Sequence, residues 1–126
     1  MDSADRAARA HALGRRGEEL AACELERRGF VVLARNVRRP HAEFDVIAED
    51  PDGVVFVEVK SRTGTRYGEP WMAVDDRKRE RTTAEAIAWI EETGRGNDDF
   101  RFGIMSIVFD EEGDPLSTEW FDEVAD

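Results

Sequence analysis

Glu58-Val59-Lys60 closes the apolar run Val54-Val55-Phe56-Val57, and thirteen residues before Glu58 stands Asp45, inside Glu43-Phe44-Asp45-Val46-Ile47. Side chains along a strand alternate, so residues two apart share a face at a spacing of roughly 6 to 7 Å. Glu58 and Lys60 therefore point the same way. Glu43 and Asp45 share a face of their own strand, with Phe44, Val46 and Ala48 expected on the other. A turn over Asp50-Pro51-Asp52-Gly53, with glycine at its end, pairs the two strands as a hairpin and brings Asp45 beside Glu58. Two clustered carboxylates make a hard oxygen site suited to Mg2+ or Mn2+ rather than zinc. Lys60 adds a point charge that can position or activate water and stabilise a pentavalent phosphate. The chemistry these types fit is metal-dependent phosphodiester hydrolysis. The plainer alternative is a solvated strand-end ion pair contributing roughly 0.2 to 1 kcal/mol.

The elements that must position these groups follow from punctuation and period. A helix is predicted from about Ala4 to Arg28, with Ser3 as N-cap and Gly29 as the stop. Strands are predicted at about Phe30–Asn36, Glu43–Glu49 and Val54–Lys60, then a loop over Ser61–Pro70 with Gly64 and Gly68. A second helix runs from near Asp75 to before Gly94. After the linker Arg95-Gly96-Asn97-Asp98, strands follow at about Phe100–Phe109 and Leu116–Phe121, joined by the turn Asp110–Asp114. The order αβββαββ predicts an α/β fold, a mixed central sheet covered by two helices.

Projected at 100° per residue, the first helix places Glu18 at the centre of a stripe of Ala7, Gly14, Ala21, Ala22 and Leu25. An acid there is costly to bury without a cation or a hydrogen-bond partner, which makes Glu18 a candidate third carboxylate. Leu13 and Leu20 fall on the opposite side, where a dimer contact would use them. On the second helix, Thr83, Ile87 and Ile90 are expected to pack on the sheet, with Lys78, Arg81, Glu85 and Trp89 on the other face. With Arg62 and Arg66 ahead of it and Arg77 and Arg79 beside it, this is the most basic segment of the chain. It can hold phosphates while an aromatic ring stacks on a base.

Composition bounds the rest. A chain of 126 residues is expected to be one domain, with an acidic C-terminal segment from about residue 110. Neither an apolar leader nor a membrane-length run is present, so the expected location is cytoplasmic, without a membrane partner. The one cysteine, Cys23, excludes an internal disulfide and a Cys-rich zinc site, and His11 and His41 flank no ligand pattern. The net charge of −11 is uneven: residues 91–126 carry twelve acids and two bases, the remainder sixteen bases and seventeen acids. A nearly neutral body remains compatible with a nucleic-acid substrate, although not with tight sequence-independent binding at physiological salt.

Gly14-Arg15-Arg16-Gly17-Glu18-Glu19-Leu20-Ala21, Asn36-Val37-Arg38, Glu43-Phe44-Asp45-Val46-Ile47-Ala48, Val55 through Arg62, Ala73-Val74 with Lys78 and Arg81, and Arg101-Phe102 resemble the successive motifs of the YraN family. They do so in order and spacing over about residues 13 to 108. That family is similar to Holliday junction resolvases and belongs with the restriction-endonuclease-like PD-(D/E)XK nucleases. The resemblance implies Asp45 and Glu58 as metal ligands, Lys60 as the catalytic lysine, Glu18 as the additional acid and Glu43 as the family's Glu two before the Asp. Two positions depart from it: Ala42 stands where the family has Gly, and Gly103 where it has Asp.

The expected function is a Mg2+- or Mn2+-dependent endonuclease acting on DNA, in preference to RNA, with branched or structured DNA as its substrate. Asp45, Glu58 and the Val59 carbonyl hold the metal, Lys60 orients water, Glu18 supports the site, and Arg62, Arg66, Lys78 and Arg81 bind nucleic acid. Symmetric cutting of two strands calls for a homodimer. The alternatives are a non-catalytic nucleic-acid-binding module with this fold, or a protein-interaction adaptor using the acidic segment.

Overall fold

The computed structural model describes residues 2–64 and 76–123, without the side chain of Ala10. Its elements are α1 (Ser3–Arg27), β1 (Val31–Arg39), β2 (Ala42–Asp50), β3 (Gly53–Thr63), α2 (Asp76–Glu92), β4 (Phe100–Phe109) and β5 (Pro115–Glu123). Helix α1 is capped by Asp2, not Ser3: the Asp2 carboxylate accepts the Asp5 N–H at 2.9 Å. A carboxylate there also meets the positive end of the helix dipole. Both helices end on a glycine in the left-handed region, Gly29 at φ 96° and Gly94 at φ 76°. In each case the next N–H reaches back, Phe30 to the Leu25 carbonyl at 3.0 Å and Arg95 to that of Ile90 at 2.8 Å.

The strands lie in sequence order, β1-β2-β3-β4-β5. All neighbours are antiparallel except β3 and β4, which run parallel because α2 carries the chain back between them. This is the mixed sheet with helices on both faces expected from the element order, and it is consistent with the restriction-endonuclease-like fold that the resemblance implies. Strand β3 is longer than its apolar run. Ser61, Arg62 and Thr63, expected in a loop, pair with Ile107, Val108 and Phe109 of β4, and the chain leaves the ladder only at Gly64. Strand β1 likewise continues past Asn36 to Arg39 against Ala42. Ladder hydrogen bonds thus carry polar residues that side-chain type alone assigns to loops.

Two cores lie on opposite faces of the sheet. Ala21 and Leu25 of α1 pack on Val46, Val55, Val57, Met105 and Ile107; Ala86, Trp89 and Ile90 of α2 pack on Phe44, Ile47, Val54 and Phe56. Ala21, Ala22 and Leu25 are buried as the expected stripe requires, whereas Ala7 is exposed and Leu13 and Leu20, expected on the opposite side, pack against the core. Those leucines therefore lie half-buried on the sheet side of α1. On α2, Ile90 is buried and Lys78 and Arg81 are exposed, as expected, but Ile87 is 42% exposed while Trp89, at 9%, and Glu85, at 7%, are buried. Trp89 meets Phe56 edge-on at 5.8 Å and is not available to stack on a base. Glu85 is buried because it accepts the His41 N–H at 2.6 Å and pairs with Arg39 at 3.3 Å, tying the β1–β2 turn to α2.

The acidic C-terminal segment is built into the sheet as far as it is described. Asp110 accepts the N–H groups of Glu112 and Asp114, and in β5 Glu123 pairs with Arg79 and Asp122 with Arg101. No described helix is long and apolar enough to cross a membrane.

Candidate active site

Asp45 stands where the ladders on both sides of β2 are interrupted. Pairing with β3 runs from Asp50 opposite Gly53 to Val46 opposite Val57 and stops there. One residue further, the Asp45 carboxylate takes over: its Oδ2 accepts the Val59 N–H at 2.8 Å. On the other side, Arg35 pairs with Val46 and Val37 with Phe44, and Asn36 between them is left-handed at φ 51°, a conformation that Asn tolerates better than most residues. The pleat is broken at this point. Phe44 packs on the α2 side, whereas Val46 and Ala48 pack on the α1 side, so the three do not share a face as alternation predicts.

Glu58 and Lys60 do share a face, with Lys60 Nζ 2.9 Å from Glu58 Oε1 and the two side chains 38% and 40% exposed. Both can therefore reach a ligand in solvent. Asp45 is more enclosed. Burial pushes its carboxyl up to about 6, against the hydrogen bond from Val59, and the negative charges of Glu18, Glu58 and Glu43 push it further in the same direction. Among the described residues no ion pair is formed with Asp45, and no group of three or more His, Cys, Asp or Glu side chains is gathered closely enough to chelate an ion. Glu18 acts on Asp45 as a nearby charge.

The sequence offered a signal for this approach that hydrophobic period missed. Gly17, just before Glu18, sits inside a helix, where glycine costs about 1 kcal/mol relative to alanine. A Cβ at Gly17 would overlap Ser61 Oγ and stand 3.0 Å from Ser61 Cβ and 3.7 Å from Val59 Cγ1. The missing side chain lets the backbone of α1 lie on β3 beside Val59, whose N–H holds Asp45. Ser61 Oγ is buried there with no hydrogen-bond partner among the described residues.

Of the expected nucleic-acid contacts, Lys78 is exposed and lines a cavity together with Glu58 and Glu43, and Arg81 is exposed on α2. Arg62, two residues beyond Lys60, donates from Nη2 to Ser106 Oγ at 3.3 Å. Arg66 lies outside the described residues, as do Ala73 and Val74. Gly103 has a local reason: a Cβ there would run into the indole of Trp120, which covers the position.

A family model described as "Uncharacterised protein family UPF0102" matches residues 17–107. A UPF0102 protein of Pelotomaculum thermopropionicum is 38% identical over 110 residues, 87% of this chain and 92% of the relative. Similar UPF0102 proteins occur in Rhodococcus jostii, 41% identical over 77% of this chain and 82% of the relative, and in Corynebacterium efficiens, 43% identical over 78% and 79%.

Proposed function

The chain belongs to the UPF0102 family, the YraN family, and on that premise and the site geometry we propose that it is a metal-dependent endonuclease hydrolysing DNA phosphodiester bonds. One observation carries the reading: Asp45 is partly buried, tied to the Val59 N–H, without an ion pair of its own among the described residues, and acted on by the charges of Glu18, Glu58 and Glu43. An enclosed carboxylate with like charges around it serves stability poorly and cation binding well. The donor set, two carboxylates and the Val59 carbonyl, is all oxygen and fits Mg2+ or Mn2+.

Asp45 and Glu58 would hold the ion, with the Asp45 position fixed through the Val59 N–H. When bound, the ion supplies charge neutralisation at the scissile phosphate and lowers the pKa of a bound water. Lys60 Nζ, held at 2.9 Å by Glu58, orients the attacking water in line with the leaving oxygen. The new P–O bond would form from that water as it releases a proton to solvent, the bond to the leaving oxygen would break, and a proton from solvent would restore the alcohol. Lys78 and Arg81 offset the charge of neighbouring phosphates, and Glu18 sustains the negative potential that attracts the metal.

The test is cleavage of supercoiled plasmid and of a synthetic four-way junction with Mg2+, Mn2+ or EDTA, using wild type, Asp45→Asn and Lys60→Ala. Metal-dependent cutting that falls by about 100-fold or more in both variants is the expected result. DNA binding that survives Asp45→Asn, with no cutting and no dependence on divalent metal, would replace this reading with a non-catalytic binding module.

A further inference from the structure

At the edge of the α2 core lies a pocket open to solvent. Phe56 is packed by Phe44 at 4.7 Å between ring centroids, by Phe102 at 5.8 Å and by Trp89 at 5.8 Å. Next to this tight cluster lies a cavity of about 140 Å³, floored by Phe44, Phe56, Phe102 and Ile104. An apolar void of about 150 Å³ is large enough to take a benzene ring. The space therefore fits one flat aromatic ring.

The mouth gives the ring its chemistry. Glu58, which carries the Lys60 ion pair, belongs to the cavity wall, as do Glu43, Lys78 and Thr82. One side is closed by the Arg79–Glu123 ion pair at 2.6 Å. A matching ligand has an apolar flat face, a polar edge that can donate to Glu43, and an attached anion that Lys78 can offset. A nucleotide has all three. Because Glu58 borders both this cavity and the proposed metal site, a base seated here leaves its backbone at the cleavage centre.

We propose that this cavity receives one unstacked base of the strand that is cut, making the protein selective for DNA with an unpaired nucleotide near the scissile bond. The inference rests on the nuclease reading and narrows its substrate. Extracting a base from a duplex costs stacking and pairing, whereas a base already unpaired at a bulge, branch or strand end enters without that cost. The site discriminates by this difference in cost.

Binding measured in EDTA separates this inference from the chemistry. Wild-type protein is titrated with a matched duplex and with the same duplex carrying one unpaired nucleotide. About tenfold tighter binding of the latter is expected, the size of one base–aromatic stacking contact. Ile104→Phe and Thr82→Trp, which fill the cavity from the sheet and from α2, should reduce the ratio of the two dissociation constants to near one. In wild type, the Ile104 δ-methyl NMR signal should move upfield with the unpaired substrate only. Equal affinities for the two DNAs together with an unmoved Ile104 signal would overturn the base pocket, even if plasmid cutting proceeds. A preference without metal-dependent cutting would leave the pocket and remove the nuclease.

Discussion

At the hairpin end of β2, Asp50 receives Arg101 Nη2 at 3.0 Å and Nη1 at 3.3 Å; five residues earlier on the same strand, Asp45 receives one main-chain N–H and faces three carboxylates. The consequences are opposite. Arg101 holds the Asp50 carboxyl below its ordinary range, while burial and like charge hold that of Asp45 up at about 6. Asp50 is arranged as structural carboxylates usually are: paired, accepting the Asp52 N–H, and closing a turn. Asp45 is arranged at a cost to the fold, which is how groups placed for binding or chemistry commonly stand.

The largest effect should come from removing the compensation at Asp50. Arg101→Leu leaves that carboxylate, with its side chain only 17% exposed, without its cation, and takes away the guanidinium over the Phe30 ring at 5.8 Å. A loss of about 2 to 3 kcal/mol in urea unfolding at pH 7 is expected. Stability unchanged within error would show that the two aspartates are not differently supported.

A smaller effect, of opposite sign, is expected at the other aspartate. Because its folded pKa is raised, ionising Asp45 costs native-state stability as pH rises from about 4 through about 6. Asp45→Asn should therefore stabilise the protein at pH 7.5 by about 1 kcal/mol, reduced from the full shift because solvent screens part of it. The gain should vanish below about pH 4, where the wild-type aspartate is protonated in both states. Asp50→Asn should behave the other way. Its lowered folded pKa supplies stability above the unfolded value near 3.9, lost as pH falls through the folded one, so this variant is destabilised at pH 7.5 and approaches wild type in acid. Thermal melts of the two variants across pH measure the comparison directly.

The smallest effect sharpens the origin of the Asp45 shift. Among its neighbours the charge of Glu18 acts more strongly than that of Glu58, and Glu58 more than Glu43. Glu18→Gln should lower the Asp45 titration midpoint, followed by carboxyl carbon NMR, by more than Glu43→Gln does. The reverse order would place α1 further from β2 than the contact at Gly17 implies.

Much of the scaffold could be read from residue types. Gly29 and Gly94 mark helix ends because only glycine takes the left-handed conformation without strain, and Asp50-Pro51-Asp52-Gly53 marks the hairpin for the same kind of reason. Helix orientation was legible only in part: Ala21, Leu25 and Ile90 face the sheet as expected. Leu13, Leu20, Glu85 and Trp89 were assigned to the outside because small-residue and β-branched stripes looked like packing faces. The helices instead turn according to what the sheet offers: a flat aliphatic face that meets Gly17 and Ala21, and a Phe56-centred face that takes Trp89. Glu85 is buried because a main-chain N–H and an arginine from a distant turn satisfy it.

The sequence by itself determined the order of elements and the shared face of Glu58 and Lys60, since a period of two is a local property of extended backbone. Tertiary structure decided the rest: the broken pleat at Asp45, the approach of Glu18 across Gly17, and the cavity beside Glu58. Each of these depends on groups far apart in sequence, whose separations, and therefore whose energies, are set only when the two helices seat on the sheet.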